Sequence, residues 1–185
     1  MSGSSSSLAV SAPLTRHDVF LSFRGEDTRE NFIDHLYAAL KRKNIEAYID
    51  ETLLRGEEIS SALHTAIEES KTYVLVFSEN YASSTWCLNE LTKILDCKKR
   101  YGRDVIPVFY KVDPSTVRKQ EKRYKEALDE HEQRFEHDLN KVQGWKDALT
   151  EAAGLSGWDS KVTRSSFEII RISFHLLKLC SSFRV

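Results

Sequence analysis

Tyr73-Val74-Leu75-Val76-Phe77 is an uninterrupted apolar run, the pattern of a β-strand that is covered on both faces. A polar loop follows it, and then a helical pattern that contains Glu90. Strands of similar character are predicted at 18–23, 45–49, 105–110 and near 155–158. Apolar residues recur at helical spacing between these strands, and the connections are too long for hairpins. The sequence therefore predicts an α/β fold with a five-stranded, mostly parallel sheet and helices on both faces.

Local signals predict how several elements begin and end. Residues 24–27 are expected to form a turn, and Asp27 or Thr28 to cap the helix that follows. Pro107 cannot donate a ladder hydrogen bond, which indicates an edge strand or a bulge. Further helices are predicted at 118–135, 145–153 and 164–179. A strand remains the alternative for the last of these.

Length and charge are those of one soluble domain with short tails. The chain has 185 residues, with 27 Lys and Arg against 28 Asp and Glu, so the charge balance gives no sign of a dedicated nucleic-acid or membrane partner. We expect a disordered Ser-rich leader at 1–15, one domain at 16–180 and a tail at 181–185. The three cysteines lack paired metal spacing, which favours a reduced protein in the cytoplasm, with the nucleus as a further compartment.

Glu90 is the most informative single residue. Ser84 or Thr85 is expected to cap its helix, and a capping-box acid stands three residues after the cap, so Glu90 is not explained as part of a cap. Trp86 lies one turn before it, which places a carboxylate on an apolar helical stripe. Two interpretations stay open from this segment alone, a solvated glutamate paired with Lys93 and a functional carboxylate.

The predicted sheet edge gathers several polar loops. Ligands of open parallel sheets bind outside the carboxyl ends of the strands. The loops expected there are 23–28, 50–58 and 80–86. A pocket at this edge would combine a cation, a close backbone approach, an aromatic platform and a carboxylate, supplied by Arg24, Gly56, Trp86 and Glu90.

Missing motifs exclude several classes of enzyme. The chain has no G-x-x-x-x-G-K-[ST] phosphate loop, no G-x-G-x-x-G fingerprint and no Gly-x-Ser-x-Gly elbow. Ser78-Glu79 follows the third strand, where a response-regulator receiver needs an acceptor aspartate. The histidines are scattered without metal spacing, so no metal site is predicted.

Four collinear motifs resemble the TIR domain of plant immune receptors. They are DVFLSFRGEDTR (18–29), SENYASSTWCLNEL (78–91), IPVFYKVDPSTVR (106–118) and ALTEAAGLSGW (148–158). The resemblance covers residues 17 to 160 and implies a flavodoxin-like domain. It further implies a protein that self-associates and then cleaves the nicotinamide–ribose bond of NAD⁺ or NADP⁺, as substrate rather than cofactor. The products would be nucleotide signals for plant defence and cell death.

The same resemblance implies roles for particular residues. Glu90 falls on the catalytic glutamate of the family. The residues matching its substrate pocket are Phe23, Arg24, Gly25, Glu26, Asp27, Thr28, Gly56, Ser84 and Trp86. Self-association surfaces are implied at Asp34, His35 and Gly154, although many members carry serine where this chain has Asp34.

One carboxylate is chemically sufficient for this cleavage. Nicotinamide is already cationic in NAD⁺ and departs neutral, so the reaction needs no general acid. An anionic Glu90 would hold the ribose hydroxyls and stabilise the oxocarbenium-like charge that develops. Trp86 would exclude water, and Arg24 would meet phosphate.

Two other functions remain as alternatives. The first is a non-catalytic adaptor or decoy that oligomerises with TIR immune receptors, and it is favoured by a chain without a nucleotide-binding switch domain, as in a TIR-only or truncated protein. The second is phosphodiester chemistry on nucleic acids by filaments of the domain. A basic groove for it would use Lys98, Lys99, Arg100 and Arg103. A solvated helix end is the simpler interpretation of those four cations.

Overall fold

The computed structural model describes residues 13–49, 61–159, 171–173, 175, 176, 178 and 179. Its sheet has five strands: His17–Phe23 (β1), Ala47–Ile49 (β2), Ser70–Phe77 (β3), Asp104–Phe109 (β4) and Trp158–Asp159 (β5). Every neighbouring pair is parallel, in the order β2-β1-β3-β4-β5. This is the flavodoxin-like order, so the predicted fold class is confirmed.

Helices lie between the strands and cover both faces of the sheet. In chain order they are Gly25–Thr28 (α1), Asp34–Arg42 (α2), Ser61–Glu68 (α3), Thr85–Tyr101 (α4), Pro114–Lys119 (α5), Arg123–Arg134 (α6) and Leu139–Ala153 (α7). A π-helical turn, Arg29–Ile33, joins α1 to α2, and a 3-10 turn, Tyr81–Ser83, precedes α4. The described residues between 171 and 179 are also helical, whereas residues 164–170 of the predicted closing helix lie outside the described residues.

The sheet separates two apolar cores. Tyr73 and Leu75 of β3 pack on the side covered by α3, α4, α6 and α7. Val74 and Val76, the alternate residues, pack against α2 and against Ile172. All five residues of the apolar run are fully buried. A central strand covered on both faces has no solvent-facing position, which accounts for its uninterrupted apolar sequence.

The segment after β1 is helical, so the predicted turn is wrong. Residues 25–28 form α1, and Asp27 lies inside this helix rather than at a cap. No side-chain hydrogen bond caps α1 or the π-helical turn. The Asp27 carboxylate instead accepts hydrogen bonds from Ser78 and Asn80 in the loop after β3. These contacts join the loops that follow two neighbouring strands, β1 and β3. A capping signal is local in the sequence, so it does not predict them.

Pro107 lies neither in an edge strand nor at a bulge, so both predictions are wrong. β4 pairs with β3 on one side and β5 on the other, and its register against β3 is continuous. The backbone nitrogen of Tyr110 donates to the Phe77 carbonyl, so the alternation of a parallel ladder turns the nitrogen of Pro107 away from β3. On that side the pairing with β5 begins only where Val108 meets Trp158. The missing donor therefore leaves no ladder hydrogen bond unmade.

Residues 118–135 form parts of two helices rather than the one that was predicted. α5 ends at Lys119 and α6 begins at Arg123. Gln120 and Lys122 between them have positive φ angles of 54° and 55°, which interrupt the helical path. Neither position holds glycine or proline, so the sequence gives no ordinary signal of the break.

None of the described helices is long and apolar enough to cross a lipid bilayer. The predicted limits of leader, domain and tail stay predictions.

Candidate active site

The helix of Glu90 begins at a side-chain cap. Ser84 is the N-cap residue, and its hydroxyl accepts a hydrogen bond from the backbone nitrogen of Cys87 at 3.2 Å. Thr85 is the first helical residue. Of the two predicted caps, Ser84 is therefore the one that forms. The cap fixes where α4 starts and so places Trp86 and Glu90 one turn apart on the same face.

Glu90 is a buried carboxylate with a donor on each oxygen. Only 3% of the residue is exposed. The Ser22 hydroxyl of β1 donates to Oε2 at 2.6 Å, and the Trp86 indole nitrogen donates to Oε1 at 2.9 Å. Lys93, the predicted surface partner, pairs instead with Glu68. The interpretation of Glu90 as a solvated surface charge is therefore wrong.

Ser22 is a site residue that sequence reasoning missed. It is fully buried and stands 3.1 Å from the Tyr81 hydroxyl, which in turn donates to the Cys87 carbonyl at 3.1 Å. Burial and then the nearby Cys87 and Glu90 raise the pKa of Tyr81 well above its usual value, so the phenol stays protonated. The available signal was a lone hydroxyl within the apolar strand Val19-Phe20-Leu21-Ser22-Phe23. A buried hydroxyl needs a hydrogen-bond partner.

Cys87 packs between the two sides of the site. Its thiol donates to the Phe23 carbonyl at 3.5 Å. Burial and the negative charge of Glu90 raise the pKa of the thiol far above its usual range, while the Ser84 hydrogen bond and the charge of Arg24 act in the opposite direction. Cys87 is thus a neutral, structural thiol. The charges of Glu90 and Arg24 shift the pKa of this thiol in opposite directions.

Asp27 ties the loop after β3 to the segment after β1. It accepts hydrogen bonds from the Ser78 hydroxyl at 2.6 Å, the Asn80 backbone nitrogen at 3.1 Å and the Asn80 side-chain nitrogen at 3.3 Å. Burial raises the pKa of Asp27, but these hydrogen bonds and the charge of Arg24 outweigh burial and lower it below the usual 3.8. The carboxylate is therefore ionised at neutral pH and holds two loops together.

Arg24 forms ion pairs with two carboxylates of α1. Its Nη1 donates to Asp27 Oδ1 at 2.7 Å, and its Nη2 donates to Glu26 Oε2. Gly25 and Thr28, which were also predicted to line the pocket, lie in α1. Gly25 starts α1, and the buried Thr28 hydroxyl donates to the Arg24 carbonyl at 2.9 Å.

These residues meet at the carboxyl ends of β1 and β3, the two strands between which the strand order reverses. That reversal is the place where open α/β sheets of this order bind ligands. Eight of the nine predicted pocket residues lie at the end of β1, in α1, or between β3 and Glu90, and so on segments that start at this edge: Phe23, Arg24, Gly25, Glu26, Asp27, Thr28, Ser84 and Trp86. Gly56, the ninth, lies outside the described residues.

The predicted self-association residues lie on the surface. Asp34 and His35 are exposed in the first turn of α2, and Gly154 is exposed at the end of α7. Exposure is a condition that any such surface has to meet. The structure of a single chain does not test the contact itself, so these assignments stay predictions.

The basic residues proposed for a nucleic-acid groove are mostly engaged within the chain. Lys99 pairs with Glu151 at 2.7 Å, and Arg100 pairs with Asp96 at 2.9 Å. Arg103 is buried, and its Nη1 donates to backbone carbonyls at the end of α3. These two ion pairs and the burial of Arg103 reduce the positive charge available to a phosphate backbone.

Metal ligands are not clustered in the part of the chain that the structure describes. No group of three or more His, Cys, Asp or Glu side chains there could hold a metal ion.

Comparison with known proteins identifies the family. A family model described as TIR domain matches residues 16–178. The chain belongs to the TIR domain family. A solved structure, the TIR domains of the activated Roq1 resistosome that directly recognises the pathogen effector XopQ, superimposes with a TM-score of 0.80 at 50% identity, over 85% of this chain and 97% of that chain.

Plant disease resistance proteins contain similar TIR domains. Disease resistance protein RPV1 of Vitis rotundifolia is 56% identical over 156 residues, which are 84% of this chain and 11% of that protein. TMV resistance protein N of Nicotiana glutinosa is 47% identical over 173 residues, 90% of this chain and 15% of that protein. The chain thus spans between a tenth and a sixth of the length of these relatives.

Other solved TIR domains share the fold at lower identity. The RPS4 and RRS1 TIR domain heterodimer matches with a TM-score of 0.53 at 22% identity, over 88% of this chain and 97% of that chain. At that identity the likeness concerns the fold alone. The Roq1 and RPS4–RRS1 structures contain TIR domains in assemblies, a resistosome and a heterodimer.

Proposed function

We propose that this TIR domain is an NAD⁺ glycohydrolase that becomes active on self-association, and that its products signal in plant defence and cell death. The observation that carries the proposal is the position of Glu90. A carboxylate with 3% exposure, fixed by donors from β1 and from its own helix, stands at the sheet edge where ligands of this fold bind.

The proposed reaction replaces the C1′–N bond to nicotinamide with a C1′–O bond to water. The bond between the nicotinamide nitrogen and the ribose C1′ breaks, and nicotinamide leaves with both bonding electrons as a neutral molecule. Water adds to C1′ and loses a proton to solvent, which gives ADP-ribose. Charge on the ribose becomes more positive as the bond breaks, and Glu90 supplies the opposing negative charge.

The surroundings of Glu90 suit this task. Coulombic stabilisation is stronger where water is excluded, because the effective dielectric constant is lower there. Ser22 and Trp86 hold one oxygen each, so the carboxylate does not have to reorient when charge develops. The same burial limits the access of substrate to Glu90. We therefore assign to self-association the opening of the approach to this carboxylate.

Nicotinamide release by concentrated protein tests the proposal. Glu90→Gln keeps the size of the side chain and removes its charge, so we expect turnover to fall by about 100-fold or more. Glu126→Gln is the matched control, because Glu126 is exposed on α6 and pairs with Arg123 of the same helix. All three proteins are compared at equal oligomeric state, measured by light scattering. Equal turnover by wild type and Glu90→Gln would remove Glu90 from catalysis.

The same experiment distinguishes an enzyme from the non-catalytic adaptor. A domain that assembles at high concentration, yet releases no nicotinamide above the level of Glu90→Gln, is an interaction module rather than an enzyme. Cleavage of nucleic acid in the absence of NAD⁺ would instead support phosphodiester chemistry.

A further inference from the structure

Two buried side chains of α6 hold the loop that follows β3. The Tyr124 hydroxyl donates to the Ser78 carbonyl at 2.7 Å, and His131 Nε2 lies 2.9 Å from the Ala82 carbonyl. Because a carbonyl oxygen can only accept, the proton of this second hydrogen bond is on Nε2. Tyr124 is fully buried and His131 is 5% exposed, so protein groups rather than solvent supply their hydrogen-bond partners. α6 therefore contacts the loop at two points, both before the cap at Ser84.

α7 holds the next part of the same segment. The Trp145 indole nitrogen donates to Asn89 Oδ1 at 3.0 Å, and Asn89 is the neighbour of Glu90 on α4. Trp145 is buried, and its ring meets the His131 ring in a T-shaped contact, with the centroids 5.3 Å apart and the planes at 66°. Rings packed in this way have fixed orientations, so one aromatic cluster orients donors from both helices.

Burial keeps the two titratable donors of α6 uncharged at neutral pH. Burial, followed by the nearby Cys87 and Asp27, raises the pKa of Tyr124 well above the usual 10.0. Burial also lowers the pKa of His131 below the usual 6.5, against the opposing effect of the hydrogen bond to Ala82. Both side chains are thus neutral donors, and neutral donors can satisfy buried carbonyls without the cost of burying a charge.

The segment held by α6 and α7 determines where Glu90 lies. The chain between β3 and α4 contains one three-residue 3-10 turn, so strand and helix hydrogen bonds fix little of its path. Ser84 at its end starts α4 and thereby sets the position of Glu90. At its start, the Ser78 hydroxyl donates to Asp27, while the Ser78 carbonyl accepts from Tyr124. The contacts from α6 and α7 therefore act at the start of the loop, before its cap and on the helix beyond.

We infer that Tyr124, His131 and Trp145 are positioning residues of the candidate site, which hold the segment 78–89 at three points and so fix Glu90 relative to β1. Their effect on turnover rests on the proposed function. Each of the three acts through the segment that it holds rather than on substrate. A displacement of about 1 Å at a reacting group can cost about 100-fold in rate, so support of Glu90 from behind has a large effect on turnover.

Tyr124→Phe tests the inference, because it removes one hydroxyl and keeps the buried ring. Tyr73→Phe is the matched control. Tyr73 is also fully buried, and its hydroxyl donates to the Ile67 carbonyl at 2.9 Å, at the amino ends of the strands and so at the sheet edge opposite to the site. The Tyr73 hydroxyl also accepts from Arg103, so its loss should destabilise the whole fold at least as much as loss of the Tyr124 hydroxyl.

Hydrogen exchange followed by NMR reads the loop directly, because the backbone amides of Asn80 and Cys87 donate to side chains of the site. We expect exchange of these two amides to be about fivefold faster in Tyr124→Phe, the effect of losing one hydrogen bond, and unchanged in Tyr73→Phe. The kcat for nicotinamide release should fall about 10-fold in Tyr124→Phe with KM unchanged, since Glu90 acts on the transition state.

The other two donors are tested in the same way. His131→Phe and Trp145→Phe keep an aromatic ring and remove the N–H donor, so both should speed exchange at Asn80 and Cys87 and lower kcat. Thermal melts establish that each variant is folded before its exchange is interpreted.

Equal effects of Tyr124→Phe and Tyr73→Phe on exchange or on kcat would overturn the inference, and so would unchanged exchange in Tyr124→Phe. Faster exchange with an unchanged kcat would overturn it as well. Failure of the proposed function looks different, because it leaves wild type and every variant without nicotinamide release while the exchange difference between the two tyrosine variants remains.

Discussion

Replacing Ser22 with alanine should destabilise the domain more than loss of an ordinary buried hydroxyl. Ser22 is fully buried and donates at 2.6 Å to a carboxylate that is itself only 3% exposed. A hydrogen bond to a charged group contributes about 1.5–3 kcal/mol, against about 1 kcal/mol for a neutral pair. We therefore expect Ser22→Ala to cost about 2 kcal/mol, because the buried Glu90 carboxylate loses one of its hydrogen-bond donors.

Ser70 supplies the matched control. It is also fully buried in the sheet, and its hydroxyl donates to the neutral carbonyl of Ala66 at 2.7 Å. Ser70→Ala should cost about 1 kcal/mol. With an m value of about 2 kcal/mol per molar urea, the unfolding midpoint should move by about 1 M for Ser22→Ala and about 0.5 M for Ser70→Ala.

A double substitution isolates the contribution of the charge. In a Glu90→Gln background the partner of Ser22 is neutral, so the cost of Ser22→Ala should fall to about 1 kcal/mol. Urea unfolding followed by circular dichroism measures all of these values. The reasoning is refuted if Ser22→Ala loses no more stability than Ser70→Ala, or if its cost is the same with glutamate and glutamine at position 90.

Two further predictions concern pH and assembly. The folded-state pKa of Asp27 lies below the usual 3.8, so its contribution to stability is present above that value and is lost as pH falls through the folded pKa. Asp27→Asn should thus be most destabilising above pH 3.8, and in urea titrations it should approach wild type as pH falls through the lowered folded-state pKa. A pH-independent difference would contradict an ionised Asp27 that holds the two loops together. His35→Ala should lower nicotinamide release most at low protein concentration, whereas His137→Ala, at a side chain that is 95% exposed outside the predicted surfaces, should not. An unchanged concentration dependence in His35→Ala would count against that surface.

The position of many site residues could be predicted, because it follows from short patterns in the sequence. Ser84 precedes an apolar helical pattern, and Trp86 and Glu90 are spaced by one turn, so the cap and the common face follow from the sequence. Arg24 and Asp27 follow a strand end directly, which places them at the ligand-binding edge of a parallel sheet. Their partners could not be predicted in the same way.

The missed contacts join residues far apart in the chain. Ser22 and Glu90 are separated by 68 positions, and Asp27 and Ser78 by 51. Asp27 was predicted as a cap because a carboxylate near a helix start has a local use, and only the neighbouring β3 loop offers it three better donors. The edge assignment of Pro107 failed for a related reason. Whether its missing N–H leaves a ladder hydrogen bond unmade depends on where the pairing with β5 begins.

The sequence by itself determined the alternation of five strands with helices, the parallel sheet and the family, because these follow from periodicity, connection length and collinear motifs. It also selected Glu90, as a carboxylate that helix capping does not explain. Only the tertiary structure decided that Glu90 is buried, that Ser22 and Trp86 hold its oxygens, and that Glu26 lies on the Arg24 donor. Hydrogen bonds and burial depend on which distant residues fill the space around a side chain, and that space exists only once β1, β3 and α4 have packed together.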